Sequence, residues 1–159
     1  VSKFTEEEIK LLYSRFQTLD RTKNGYISTE EFLLIPELSM NPLSERVVPL
    51  FVDELGRCNF ENFVSFLWLF NRNCDVKKKR EIAFRMYDCD KDGRISIEDL
   101  EKILKIMVGN FVSPVKLNSI SKNTIEKYGG KDCDFLTLTD FEKVISDEEL
   151  MKWMTIHFD

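Results

Sequence analysis

The sequence predicts an all-α fold of four helix–loop–helix units paired into two lobes, and three observations predict it. Residues 88–99, DCDKDGRISIED, place oxygen-bearing side chains at loop positions 1, 3, 5, 9 and 12 with glycine at position 6. Residues 20–31, DRTKNGYISTEE, repeat the frame. Around both loops, apolar residues recur at the i, i+3, i+4, i+7 spacing of one helix face. Self-similarity at a period of roughly 30–40 residues marks a chain assembled from one repeated supersecondary unit.

Taken in order, the first unit enters through a helix starting at Thr5, with Glu8 three residues on as a capping box and Ile9, Leu12, Tyr13 and Phe16 on one face. Its loop offers Asp20, Thr22, Asn24, Ser28 and Glu31 as side-chain ligands and the Tyr26 carbonyl at position 7. The second unit is eroded. Gly56 and Phe63 keep their places, but Phe51, Leu55 and Asn62 fall at positions 1, 5 and 12, and Pro49 disturbs the entering helix. The third unit enters with Phe84 and Tyr87 and leaves with Leu100, Ile103, Leu104 and Met107 as a buried stripe that Gly109 ends. Ser96 and Asp99 form a capping box with a short acid. In the fourth unit Gly129, Lys131 and Cys133 hold positions 1, 3 and 5, where an ammonium repels a cation. The second and fourth loops are expected to bind no metal and to serve packing, because one unit alone cannot bury its apolar face. Pairing is expected at loop position 8, Ile27 with Cys58 and Ile95 with Leu136. The expected division is residues 1–70 as the N-terminal lobe, 71–78 as linker, 79–145 as the C-terminal lobe and 146–159 as a tail.

The third loop is the strong site. A hard dication such as Ca2+ takes six to eight oxygens in a flexible cage, and Asp88, Asp90, Asp92, the Arg94 carbonyl, Ser96 and Asp99 supply them from one segment. Gly93 permits the sharp turn. Position 12 is ordinarily a bidentate glutamate, and Asp99 is one methylene shorter, which predicts weaker Ca2+ binding and competition from Mg2+. The first loop keeps Glu31 but has a neutral hydroxyl, Thr22, at position 3, so it is expected to be the weaker of the two.

Composition excludes several classes. The 159 residues carry a net charge of −5, which argues against nucleic-acid binding and suits a cation or a basic partner helix. Four cysteines without a CxxC pair and one histidine, His157 in the tail, make a poor zinc or disulfide inventory and point to reduced thiols in the cytoplasm. No apolar run reaches the length of a membrane span. No phosphate loop, nucleophile elbow or second histidine assembles a catalytic site, so no enzyme is expected. Membrane contact is expected only through acylation of an N-terminus this chain does not show.

One face is left for a partner. Residues 61–70, ENFVSFLWLF, are apolar nearly all round. A lobe of about 70 residues has little interior in which to hide a second stripe, which favours a groove for an apolar helix over pure core. The tail opens on a capping box, Ser146 and Glu149, and carries Leu150, Met151, Trp153 and Met154; it either covers a groove or completes the second lobe. The residues assigned to the partner face are Phe66, Trp68, Leu69, Met107, Trp153 and Met154. Lys77–Arg80 is most simply a solvated helix start.

Taken with Glu7–Lys10, Phe16-x-x-Leu19-Asp20, Pro36–Leu38, Asn41–Leu43, Ala83–Asp88, Asp90–Gly93 and Leu104–Asn110, the chain resembles the calcineurin B family of EF-hand proteins over nearly its full length. The resemblance implies a Ca2+-binding, non-catalytic regulatory subunit that forms a heterodimer by holding a long amphipathic helix of a Ser/Thr phosphatase catalytic subunit. The family fills all four loops, whereas this chain has lost the second and fourth and altered the third. A sibling Ca2+ adaptor for a transporter or receptor tail, of calcineurin B homologous or integrin-binding type, fits the same fold. So does a brace whose grip is indifferent to Ca2+.

Overall fold

The computed structural model describes residues 4–155, so His157 lies outside the described residues. Among the described residues, ten helices and two two-stranded sheets follow in order: α1 (Glu6–Leu19), β1 (Ile27–Ser28), α2 (Thr29–Leu33), α3 (Pro36–Ser39), α4 (Ser44–Val47), β2 (Arg57–Cys58), α5 (Phe60–Leu69), α6 (Val76–Tyr87), β3 (Ile95–Ser96), α7 (Ile97–Val108), α8 (Pro114–Gly129), β4 (Phe135–Leu136), α9 (Leu138–Val144) and α10 (Asp147–Trp153). The all-α class holds, the sheets being two residues per strand. Each sheet is antiparallel and in the expected register, Ile27 opposite Cys58 and Ile95 opposite Leu136. The chain divides into two compact units, one built on the described residues up to Cys74 together with Thr155, the other running Asp75–Met154.

Helix starts follow from local chemistry. Thr5, Ser28, Ser96, Thr137 and Ser146 each cap a helix and are answered three residues on by Glu8, Glu31, Asp99, Asp140 and Glu149. Each pair satisfies two of the backbone donors that a helix start leaves unpaired. Gly109, at φ +59, ends α7 in a backbone region that L side chains rarely adopt.

The first unit is built on aromatic packing. Phe66 sits edge-on to Phe32 at 4.8 Å and Phe51 at 5.4 Å and tilted against Phe70 at 4.9 Å, while Phe16 meets Phe60 and Phe63, each at 5.5 Å. The expectation that α5 keeps an open apolar side is corrected here: Phe63, Phe66, Leu67, Leu69 and Phe70 are all buried. The reason lies between α2 and β2. Pro36, Pro42 and Pro49 break that stretch into α3, α4 and a 3-10 turn at Val48–Leu50, which fold Ile35, Leu38, Leu43, Val47 and Val48 into the same core.

Two further expectations change in the second unit. Asp75 caps α6 through the amide of Lys77, so residues 76–78 are the first turn of a helix rather than linker. Lys79 and Arg80 are buried, not solvated. Lys79 Nζ donates to the Met154 carbonyl and Arg80 Nη1 to the Ile145 carbonyl at 2.7 Å, and Arg80 also pairs with Asp147. Ile145 and Met154 are the C-caps of α9 and α10, where unpaired carbonyls and the negative end of the helix dipole receive a cation. The tail helix α10 is thereby clamped along α6 and completes the second unit, with Leu150 buried and Trp153 edge-on to Tyr87 at 6.5 Å.

Candidate metal centre

Both well-formed loops are prepared by backbone before any ion is considered. Lys23 and Lys91 at position 4 adopt φ +54 and +61, and Gly25 and Gly93 at position 6 adopt +85 and +84. A Cβ on Gly93 would meet nothing within 4 Å, so the left-handed φ, not crowding, is what asks for glycine.

At position 1 the two aspartates do the same work. Asp88 Oδ1 accepts from the Asp92 amide at 3.1 Å and Oδ2 from the Gly93 amide at 2.8 Å. Asp20 accepts from the amides of Asn24 and Gly25 at 3.1 and 2.8 Å. Position 12 matches too. Glu31 accepts from the amides of Arg21 and Ser28 at 3.1 and 2.9 Å, and Asp99 from those of Cys89 and Ser96 at 3.1 and 3.0 Å. The shorter Asp99 thus reaches the same pair of loop amides as the longer Glu31. It also accepts from the Ser96 hydroxyl at 2.9 Å and is buried.

Among the described residues, one group of three carboxylates can hold a single ion. Oxygens of Asp88, Asp90 and Asp99 lie within 4.8 Å of one another. Oxygen donors alone suit a hard cation, Ca2+ or Mg2+, and three carboxylates in a 12-residue loop fit it. Asp92 is not drawn into that group. Its Oδ1 accepts from the Arg94 amide at 2.8 Å, an arrangement repeated in the first loop by Asn24 and the Tyr26 amide at 3.0 Å. Lengthening position 12 tests the reach of Asp99. Asp99→Glu should tighten Ca2+ about tenfold and widen its preference over Mg2+, by calorimetric titration of each ion; an unchanged ratio would show that one carboxylate oxygen suffices there.

In both eroded loops a remaining acid is engaged by side chains of the chain itself. In the second, Asp53 at position 3 accepts from the amides of Leu55 and Arg57, each at 2.9 Å, and from Arg57 Nε at 3.0 Å, with Arg57 Nη2 at 2.9 Å. The Arg57 guanidinium holds the Asp53 carboxyl below the usual carboxylate range, and the arginine is shifted upward in return. Arg57 also lies over the Tyr26 ring at 4.9 Å. In the fourth, Asp140 at position 12 is shifted downward by the Thr137 hydroxyl and backbone and by Lys143 at 3.2 Å. Arg94 lies over the Phe135 ring at 4.3 Å. Burial pushes the Cys58 thiol, between the first two loops, up to about 12. Sequence reading missed the Asp53–Arg57 pair, although an acid and an arginine four residues apart in one loop are a visible signal.

The residues assigned to a partner face separate into two sets. Phe66, Leu69 and Met154 are core, each at most 1% exposed, and cannot offer a surface as they stand. Trp68 and Trp153 are half-buried, with Trp68 edge-on to Phe4 at 5.4 Å, and Met107 is exposed.

Comparison with known proteins bears on the same two loops. Residues 81–110 match the EF-hand domain family and residues 12–35 the EF hand family. The calcineurin B of Naegleria gruberi is 44% identical over 155 residues, covering 96% of this chain and 87% of that protein. The type 2 calcineurin B of Dictyostelium discoideum is 41% identical over 128 residues, covering 80% and 70%. In three dimensions, a chain of the PP2A PR70 holoenzyme superposes with a TM-score of 0.60 at 21% identity over 92% of this chain. This chain spans 58% of that one, and the likeness is one of fold.

Proposed function

The chain belongs to the calcineurin B family, and from that premise we propose that it is the Ca2+-binding regulatory subunit of a Ser/Thr phosphatase, holding an amphipathic helix of the catalytic chain. The subunit itself is not an enzyme. The observation that carries the reading is 44% identity across 87% of a named calcineurin B, with the third loop's carboxylate group intact.

The loop geometry supplies a mechanism. Asp88 follows the last residue of α6, and Asp99 is the third residue of α7. Asp88 and Asp99 would hold Ca2+ from the end of α6 and the start of α7, and the ion would supply the positive charge that offsets repulsion between their carboxylates. The two residues couple the loop to the junction of these helices, and in this reading the α7 face of Leu100, Ile103 and Leu104 leads to Met107, exposed at its far end, which meets the partner. In this proposal Trp68 and Trp153 supply apolar contact, and Phe66, Leu69 and Met154 support from the core. Asp88–Asp99 is the principal metal site, Asp20–Glu31 a weaker one, and the setting is the cytoplasm. Among the described residues no helix is long and apolar enough to cross a membrane.

Tagged full-length chain, purified from native extract and weighed by native mass spectrometry, should carry a Ser/Thr phosphatase catalytic chain at one-to-one stoichiometry with bound Ca2+. Recovery of a transporter or receptor tail and no phosphatase chain would overturn the assignment in favour of an adaptor.

A further inference from the structure

Resting on the assignment of Asp88–Asp99 as the metal site, we propose that Phe135, in the fourth loop, is a positioning residue for that site. Its ring holds the Arg94 side chain and thereby the Arg94 carbonyl, the ligand assigned to position 7. A loop expected to bind no metal thus serves the metal site beside it, and not packing alone. Position 7 is where the ligand set needs such help. The other five assigned ligands are side chains, whereas position 7 offers main chain, whose direction follows the backbone between Gly93, at φ +84, and β3. Glycine loses more freedom than any other residue when it is ordered. A contact that restrains the next residue therefore lowers the cost of presenting its carbonyl.

Arg94 Cζ lies 4.3 Å over the centre of the Phe135 ring. Among the described residues Arg94 has no salt bridge to compete with that contact. The strand register explains the meeting. Ile95 stands opposite Leu136 and Ser96 opposite Phe135. Ile95 and Leu136 take the buried face, so Arg94 and Phe135 share the outer one as diagonal neighbours, within reach of an aromatic and a long side chain. Phe135 is itself anchored. Gly129, at position 1 of the fourth loop, sits so close that a Cβ there would fall 3.0 Å from the Phe135 carbonyl oxygen and 3.2 Å from Leu136 Cδ2. The ring is therefore presented from a backbone that is packed in place.

The first unit repeats the arrangement with the partners exchanged. Tyr26, at position 7 of the first loop, lies under Arg57, at position 7 of the second, at 4.9 Å. Here the arginine is the anchored member, through Asp53 at 2.9 Å. In both units the position-7 residue of the loop that keeps its ligands is stacked on the position-7 residue of the eroded loop. Two different residue pairs reach one geometry, and what they share is the carbonyl they flank.

The test is calorimetric titration of Ca2+ into the full-length chain carrying Glu31→Gln, which removes the position-12 carboxylate of the first loop and leaves the third to be read. Phe135→Leu, at unchanged charge, should weaken binding about threefold, the size of one exposed cation–π contact. Phe135→Tyr keeps the ring and should keep the affinity. With Arg94→Gln already in place, Phe135→Leu should cost nothing further, because the pair is gone. In the Ca2+-free chain Phe135→Leu should also speed hydrogen exchange of the Arg94 amide about threefold. That amide donates to Asp92 Oδ1, whereas the Gly93 amide, held by Asp88, should be unchanged. If Phe135→Leu lowers the melting temperature of the Ca2+-free chain, the pair of backgrounds still decides, since a packing loss persists in both. Unchanged affinity with Phe135→Leu would overturn the proposal and leave the metal site standing. An equal loss in the Arg94→Gln background would overturn it too and assign Phe135 to packing. No Ca2+ binding by the Glu31→Gln chain itself would overturn the site assignment and the proposal together.

Discussion

Replacing Asp88 with alanine should abolish the principal Ca2+ site, weakening it by at least about 100-fold in calorimetric titration, a larger loss than outer-shell changes around a bound ion usually cause. Asp88 combines three roles in one carboxylate. It belongs to the only group of three among the described residues whose oxygens can converge on one ion. It accepts the amides of Asp92 and Gly93, which hold the turn of the loop. It also caps α6, directly after Tyr87. Alanine removes the ligand and leaves two loop amides seeking water. Asp88→Asn separates the effects, because the amide oxygen can still accept one of those hydrogen bonds while the charge is lost. Asn should retain the fold and lose most of the affinity. If Ca2+ binding by the alanine variant matched that of the unaltered chain, the third loop would not be the site.

Phe66→Ala should cost the first unit about 3–5 kcal/mol. For a unit of this size that corresponds to a fall in melting temperature of roughly 15 °C or more, read by circular dichroism or calorimetry. Phe66 is fully buried and is the common neighbour of Phe32, Phe51 and Phe70, so truncation opens a cavity bordered by three rings that cannot all close on it. The result also decides between two roles for this side chain. A partner-facing residue truncated to alanine would leave the free protein's stability nearly unchanged and weaken only the complex. Trp68→Ala supplies the contrast, since its half-buried ring should give the smaller stability loss of the two.

What can be read from sequence, and what cannot, divides along the range of the interactions. The loop frames, the capping boxes and the strand register are set within about a dozen residues, and position 8 of each loop has one possible partner once the units are paired. Ile27 with Cys58 and Ile95 with Leu136 follow directly. The burial of Lys79 and Arg80 has no local signal. Their carbonyl partners lie 75 and 65 residues away, and four basic residues in a row look the same whether they meet water or helix ends. The first core is underestimated from sequence for a different reason. Residues 34–50 turn too often for any helical period to show Ile35, Leu38, Leu43, Val47 and Val48 as core. Without them, α5 carries more apolar surface than the unit can cover. The carboxylates at positions 1 and 12 are legible because ligand chemistry fixes their spacing. That Asp92 turns to the Arg94 amide rather than joining Asp88, Asp90 and Asp99 is not.

The Asp53–Arg57 pair has a consequence for signalling. A dissolved ion occupies its loop according to its concentration, and a chelator can withdraw it. A guanidinium four residues from its carboxylate is present at a local concentration that no buffer alters. Closure of the second loop by this pair is therefore set by the chain itself, and the loop is expected to stay outside the Ca2+ signal. A variable has been exchanged for a parameter: the second loop's geometry is written into its covalent sequence, and in the proposed function the cell's ionic state is left to the first and third loops.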